Sequence, residues 1–412
     1  MVHYEHAVEE LNEFVELTGI PCHTRRVARG AISEYNPLNC YGRARGAVMR
    51  ASDRALVLGL RIAYLENNGM PPFWGVNTRY VQAQPCKDDV CLGLDTEYEL
   101  IGNTKLMLRQ MIDCAKSLGI RKPPEKWNDW RQFVLDRKTY YLQRAIERSE
   151  KARGSVPLHP DIVGRLMAEF VAEELNGEYI TVVDGFTAST YWTDWNMCKF
   201  SGQVMDASET IGIGHGVGMA IGAALATNRK IPIIAVMGDG AIGAAGMDIE
   251  TAVRWDIPAV FVQLNNDSVV TGWQYFRAKA LRPTGDYLKD SWEVLPHIHY
   301  ERMFQEFGCH AEFVERDVEL KPALKRALDF VRSKSKPAVV EVFIDKDVLQ
   351  EVWATILTPV SNNLLKWDEI PEKGQKFIEE TIHLWGFFGL MTTPPDWIEA
   401  VKQKGIKVPW AY

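Results

Sequence analysis

Apolar residues along this chain recur with two different periods, and the switching between them lays out the expected elements. Between residues 5 and 18, Val8, Leu11, Phe14, Val15 and Leu17 make the apolar face of a helix that Gly19-Ile20-Pro21 ends. A short helix at 47–51 precedes the buried-strand run ALVLGL at 55–60, and a second strand is expected near 79–82. Helices follow over 104–118, 129–151 and 161–175, the last with Pro160 in the first turn, where its missing N–H goes unused. A strand at 179–183 ends in Asp184-Gly185, and a glycine-laced loop then runs into a small-residue helix across 206–224. Apolar runs at 231–237 and 259–264 read as buried strands, enclosing a helical pattern with Ile249, Ala252 and Val253 on one face. A helix near 300–307, a strand at 311–314, a helix over 321–334 and a strand at 338–344 complete the series. Strands alternating with helices imply parallel sheets. The fold class is therefore α/β, with two parallel-sheet domains, at 1–125 and 156–346, joined by a linker helix in 126–155. A helical tail rich in Trp and Pro occupies 347–412.

Composition narrows the function classes. The 47 Lys and Arg are scattered and outnumbered by 54 Asp and Glu, so no basic face suggests a nucleic-acid partner. No apolar run is long enough to span a bilayer, and the acidic, amphipathic start MVHYEHAVEELNEF is not a signal peptide. Seven cysteines at irregular spacing read as reduced thiols and a cytoplasmic setting. Cys86 and Cys91 lack the second pair that a zinc site needs. Many of the thirteen tryptophans fall in loops and in the tail, where large apolar surface suggests a partner interface.

The densest chemistry lies in MGDGAIGAAGMDIETAVRWDIPAVFVQLNNDS at 237–268. A β-α-β unit places Asp239 and Asn266 at the carboxyl ends of adjacent strands, the edge where open α/β sheets bind ligands. One carboxylate and one amide oxygen are too few for a calcium cage. They suit Mg²⁺, which completes its octahedron with water and phosphate oxygens. Gly238 and Gly240 let the backbone approach closely and turn N–H groups toward phosphate. The plainer alternative is an ordinary β-α-β unit with a tight turn and an asparagine cap.

These pieces carry a family resemblance. DASETIGIGHGVGMAIGAA, GDGAIGAAGMDIETAVRWDIP and LNNDSVVTGW resemble the thiamine-diphosphate (ThDP) 2-hydroxyacyl-CoA lyase and oxalyl-CoA decarboxylase branch of the acetolactate-synthase-like enzymes. LPHIHYERMFQEFG at 295–308 is similar to the same branch, while residues 18–72 and ELIGNTKLMLRQMID at 99–113 resemble its middle domain. The resemblance implies ThDP and Mg²⁺ as cofactors. It implies that Asp239, the side-chain oxygen of Asn266 and the main-chain oxygen of Ser268 hold the metal. By the same resemblance, main-chain N–H groups near Thr187, Ala188, Ala241 and Ile242 meet the diphosphate. Ile213 matches the bulky apolar residue that bends the cofactor, with plain core packing as the alternative. His215 stands where the family has an apolar residue, so it reads as a packed histidine. Thr187 stands where the CoA branch tends to have asparagine. Arg43 and Arg45 are candidates for CoA phosphates, with solvated loop arginines as the default reading.

Family members begin with a pyrimidine-binding domain that carries the activating glutamate. This sequence resembles the back two-thirds of such an enzyme, starting at a truncated middle domain. No catalytic residue is assigned within it. The expectation is that a separate pyrimidine-domain subunit supplies the glutamate, in a hetero-oligomer built on a dimer of such pairs, with the tail helping to hold the partner. The implied activity is making or breaking a C–C bond in a 2-hydroxyacyl-CoA or an oxalyl-CoA-like thioester. A split 2-oxo acid decarboxylase or acyloin (acetolactate) synthase, and a non-catalytic regulatory subunit, are the alternatives.

Overall fold

The computed structural model describes residues 1–42, 44–62, 66, 69, 74, 75, 77–207, 212–268, 296–348, 366–370, 372–384 and 393–409. Arg43, residues 208–211 and 269–275 of the resemblance, and much of the Trp-rich tail lie outside that set.

The first unit is built from α1 (Val8–Thr18), α2 (Ala44–Ala51), β1 (Arg54–Leu58), β2 (Arg79–Gln84), β3 (Thr96–Ile101) and α3 (Thr104–Ser117). Gly19 ends α1 in the left-handed region, its N–H bonded to the Val15 carbonyl. Asn103 caps α3 by accepting from the Leu106 N–H. The three strands are parallel in the order β1-β2-β3. The sequence pattern does not reveal β3, because TEYELI is an edge strand with mostly polar or exposed positions. It is tied laterally by charge instead, since Glu97 pairs with both Arg54 and Arg79 at 2.9 Å.

The helix α4 (Asn128–Lys151) buries Val134 against Cys40 and Val48. The second unit then runs α5 (Pro160–Leu175), β4 (Ile180–Asp184), β5 (Val204–Met205), α6 (Gly216–Ala226), β6 (Ile233–Gly238), α7 (Asp239–Ala245) and α8 (Ile249–Arg254). It continues through β7 (Val260–Asn265), α9 (Tyr300–Glu306), β8 (His310–Val314), α10 (Asp317–Lys334) and β9 (Ala338–Phe343). Helix α10 begins a turn before its expected start at 321 and keeps Pro322 inside. Burial of Leu320 and Ala323 outweighs the lost backbone bond there.

All six strands of this sheet are parallel, in the order β5-β4-β6-β7-β9-β8. Alternation along each strand feeds two cores. Ile234, Val236, Val260 and Val262 face α5 and α10, while Ala235, Met237 and Phe261 face α6 through α9. The chain leaves β4 toward β5 on one side and leaves β6 toward β7 on the other. The crevice between β4 and β6 is thus the switch point at which doubly wound sheets take ligands.

In the tail, α11 (Glu372–Thr381) and α12 (Pro395–Gln403) share a small core of Ile370, Ile378, Ile382, Trp397 and Val401. Among the described residues, no helix is long and apolar enough to cross a membrane.

Candidate functional site

Two turns meet at the switch point. Strand β4 ends in Asp184-Gly185, and its neighbour β6 ends in Gly238-Asp239. Gly185 adopts φ +93, and a Cβ there would sit 3.4 Å from the Gly238 nitrogen, so the two backbones lie close together. Thr187 and Ala188 follow the first turn, buried where the chain enters a π-helical stretch at Ala188–Trp192. Ala241 and Ile242 are buried in the first turns of α7.

The neighbouring strand β7 ends at Asn265 and delivers Asn266 and Ser268 to the same corner. Asp239 is the hub. Its Oδ2 accepts from the Asn266 N–H at 3.3 Å and the Ser268 N–H at 3.0 Å, and its Oδ1 accepts from the Gly240 N–H at 2.8 Å. Asp239, Asn266 and Ser268 are only 3%, 2% and 1% exposed. Three residues separated by up to 29 positions are therefore gathered into one buried corner. Burial pushes the Asp239 carboxyl up to about 6, against the pull of the backbone N–H groups of Ser268, Gly240 and Asn266. No Lys, Arg or His pairs with Asp239 among the described residues. A buried carboxylate without a cationic partner, flanked by an amide and a main-chain turn, fits a hard divalent cation of the Mg²⁺ kind.

The loop opposite is held by a residue that the sequence presents only as a strand end. Asp184, 1% exposed, accepts from the Gly214 N–H at 3.0 Å and the Gly216 N–H at 2.6 Å, and burial raises its carboxyl above the usual range. A Cβ on Gly216 would fall 2.8 Å from the Asp184 Cβ, so glycine is needed for that approach. His215 has its Nε2 3.0 Å from the Val183 carbonyl and its Nδ1 3.5 Å from Asp184. That anchoring agrees with a packed, structural histidine. Ile213 is 50% exposed, which disagrees with core packing, and its neighbour Gly214 lies close to Ala244 of α7. Arg45 also departs from its default reading, because it lies in the first turn of α2 and burial lowers its guanidinium.

Behind the corner lies a buried acid pair that motif reading misses. Asn265 Nδ2 donates to Glu341 Oε1 at 2.7 Å, and the Glu301 N–H donates to Glu341 Oε2 at 2.8 Å. Glu341 is wholly buried, and its one sequence signal is a lone acid inside the apolar strand AVVEVF. Burial and the adjoining Glu301 carboxyl hold Glu341 protonated well above the usual carboxylate range. A carboxyl raised on folding adds stability at low pH and loses that contribution as pH rises through its folded value. Glu341→Gln keeps an acceptor for Asn265 but cannot ionise. It is expected to flatten the fall in urea-unfolding free energy between about pH 5 and neutrality. An unchanged pH slope would show that Glu341 is not a stored neutral acid.

A doubly wound parallel sheet with glycine turns and a buried carboxylate at its switch point defines a diphosphate-binding class of α/β protein. Family models match both units. Residues 1–111 match the central domain of thiamine pyrophosphate enzymes, and residues 188–342 match their C-terminal TPP-binding domain. The chain belongs to the thiamine pyrophosphate enzymes. It is similar to a 2-hydroxyacyl-CoA lyase of Mus musculus, with 24% identity over 362 residues, covering 83% of this chain and 58% of the relative. It is also similar to the oxalyl-CoA decarboxylase of Escherichia coli K12, with 24% identity over 344 residues, covering 83% and 57%. A probable acetolactate synthase of Mycobacterium bovis is 27% identical over 353 residues, covering 84% and 58%. The chain thus spans somewhat over half the length of the relatives it matches.

Proposed function

We propose that this chain is the ThDP- and Mg²⁺-binding subunit of a C–C lyase or carboligase that acts on a 2-hydroxyacyl-CoA or an oxalyl-CoA-like thioester. The observation that carries the reading is the buried Asp239 carboxylate at the tips of paired strands, with Asn266 and Ser268 gathered around it. Asp239, the Asn266 side-chain oxygen and the Ser268 carbonyl would hold the metal. Backbone N–H groups near Gly238, Gly240, Thr187, Ala188, Ala241 and Ile242 would receive the diphosphate. When bound, ThDP supplies a carbon nucleophile and a sink for the electron pair left by C–C cleavage. The chain's own part is to anchor the diphosphate, to bend the cofactor over Ile213, and to keep Asp184 and His215 holding the loop that carries Ile213.

The pyrimidine end and its activating glutamate lie, in this reading, on a separate subunit, with the whole built on a dimer of such pairs. A surface beside the crevice supports that partner. Ile213 is exposed before α6, Leu225 at that helix's far end and Met247 after α7, and a Cβ on Gly218, Gly222 or Gly243 would meet nothing within 4 Å. Such an apolar, small-residue face next to half a site suits another protein domain. The resemblance to a probable acetolactate synthase, together with threonine at 187, favours a second reading as part of an enzyme for free 2-oxo acids.

Co-purification from the native host with mass analysis of the companion polypeptide tests the assembly. The 412-residue chain alone is expected to show no turnover, and the pair is expected to cleave a 2-hydroxyacyl-CoA. Full activity of the chain alone sinks the shared site, and activity on free 2-oxo acids without CoA selects the second reading.

A further inference from the structure

Asp267 stands between Asn266 and Ser268, and its backbone lies in the left-handed region at φ +51. Few residues other than glycine adopt that conformation, and Asp and Asn tolerate it best. Here it lets the N–H groups of Asn266 and Ser268 converge on one oxygen, Asp239 Oδ2, as a backbone nest does around an anion. In an extended chain those two N–H groups would run parallel, about 7 Å apart, and could not share an acceptor.

Two side chains hold Asp267 in this turn. Asn265 Oδ1 accepts from the Asp267 N–H at 3.0 Å. Asn265 is wholly buried and is itself fixed, because its Nδ2 donates to Glu341 Oε1 at 2.7 Å and to the Ile298 carbonyl at 3.3 Å. From thirty positions further along the chain, His297 places its Nδ1 3.2 and 3.0 Å from the two Asp267 carboxylate oxygens, so a ring N–H there donates to the carboxylate. The His297 ring packs edge-on against Phe343 and His299, with centroids 4.9 Å away in both cases. The turn that carries Asn266 and Ser268 is thus tied to β9 through Glu341 and Phe343. It is tied to the segment entering α9 through Ile298 and His297.

We propose that Asn265 and His297 are positioning residues that lock Asp267 in the left-handed turn. They thereby set how Asn266 and Ser268 stand around the cation at Asp239, and so its affinity and the choice of ion. The inference rests on the metal assignment proposed above, and neither side chain acts by touching the ion. Mg²⁺ demands short, near-octahedral oxygen contacts, whereas Ca²⁺ accepts longer and more variable ones. A locked turn therefore favours the smaller ion, and a slackened one costs Mg²⁺ more than Ca²⁺.

ThDP titrated into the full 412-residue chain by calorimetry, once in Mg²⁺ and once in Ca²⁺, tests this, with ligand-free thermal midpoints reporting whether each variant folds. The His297 side chain is 43% exposed, so replacing it leaves the core intact. His297→Phe keeps a ring against Phe343 and removes the N–H. It is expected to weaken Mg²⁺-dependent ThDP binding by about tenfold, and Ca²⁺-dependent binding by less. His297→Asn, whose amide N–H can stand where Nδ1 stands, is expected to recover most of the affinity. Asp267→Gly takes up the left-handed turn without strain, so it is expected to bind more tightly than Asp267→Ala. Wild-type affinity in folded His297→Phe, equal losses with both ions, or equal binding by Asp267→Gly and Asp267→Ala overturns the positioning role alone. A wild-type chain that binds no ThDP with either ion removes the metal assignment, and this inference falls with it.

Discussion

Asp239→Ala is expected to lose ThDP on purification while keeping its fold, with cofactor affinity in Mg²⁺ buffer weakened by more than about 100-fold. Asp239 joins the tips of β6 and β7 by accepting from the Asn266 and Ser268 N–H groups. The fold does not need that charge. Burial pushes its carboxyl up to about 6, so its stabilising effect in metal-free protein is greatest at low pH and is lost as pH rises through that value. At pH 7.5 the ionised group is a burden on the order of 2–3 kcal/mol that a bound cation relieves. The variant without metal should therefore melt no lower than the metal-free wild type, and Mg²⁺ with ThDP should raise the midpoint of the wild type alone. Cofactor stoichiometry after gel filtration, with melting curves at pH 5 and 7.5, checks both points. Normal ThDP occupancy in Asp239→Ala removes the metal assignment.

Glu34→Ala is expected to cost about 3–5 kcal/mol of unfolding free energy, the largest stability loss anticipated for a single substitution in the first unit. Arg29 and Glu34 are 4% and 1% exposed and share two parallel hydrogen bonds, and Glu34 also accepts from the Cys198 N–H at 2.7 Å. Removing the carboxylate strands a buried guanidinium at the seam between the two units and unpairs a backbone donor in the second. An apolar pair, Arg29→Met with Glu34→Leu, is expected to recover most of the loss, because an isolated charge costs more than none. Urea unfolding of the single and double variants measures the difference, and equal midpoints for Glu34→Ala and wild type would show that the pair is not load-sharing.

How much of this was legible without coordinates depended on whether the controlling physics was local. Strands β4, β6, β7 and β9 are short β-branched runs ended by Gly, Asp or Asn, and each stands close to where its pattern places it. From those boundaries alone, parallel geometry brings Asp239 to Asn266. Strand β3 escaped because an edge strand needs no apolar alternation, and its lateral hold comes from Glu97 meeting arginines on other strands. Asp184 escaped because its importance rests on two glycine N–H groups about thirty positions away.

By itself, the order of apolar runs and glycine turns determined the α/β class, the strand ends and the identity of the residues gathered at the Asp239 corner. These follow from periodicity and chain stereochemistry, which act over a few residues. Only the tertiary structure decided that Asp239 is buried without a cationic partner among the described residues, that Ile213 is half exposed and that Glu341 is held as a neutral acid. Exposure, pKa and hydrogen-bond satisfaction depend on which distant segments pack together, and no local pattern records that.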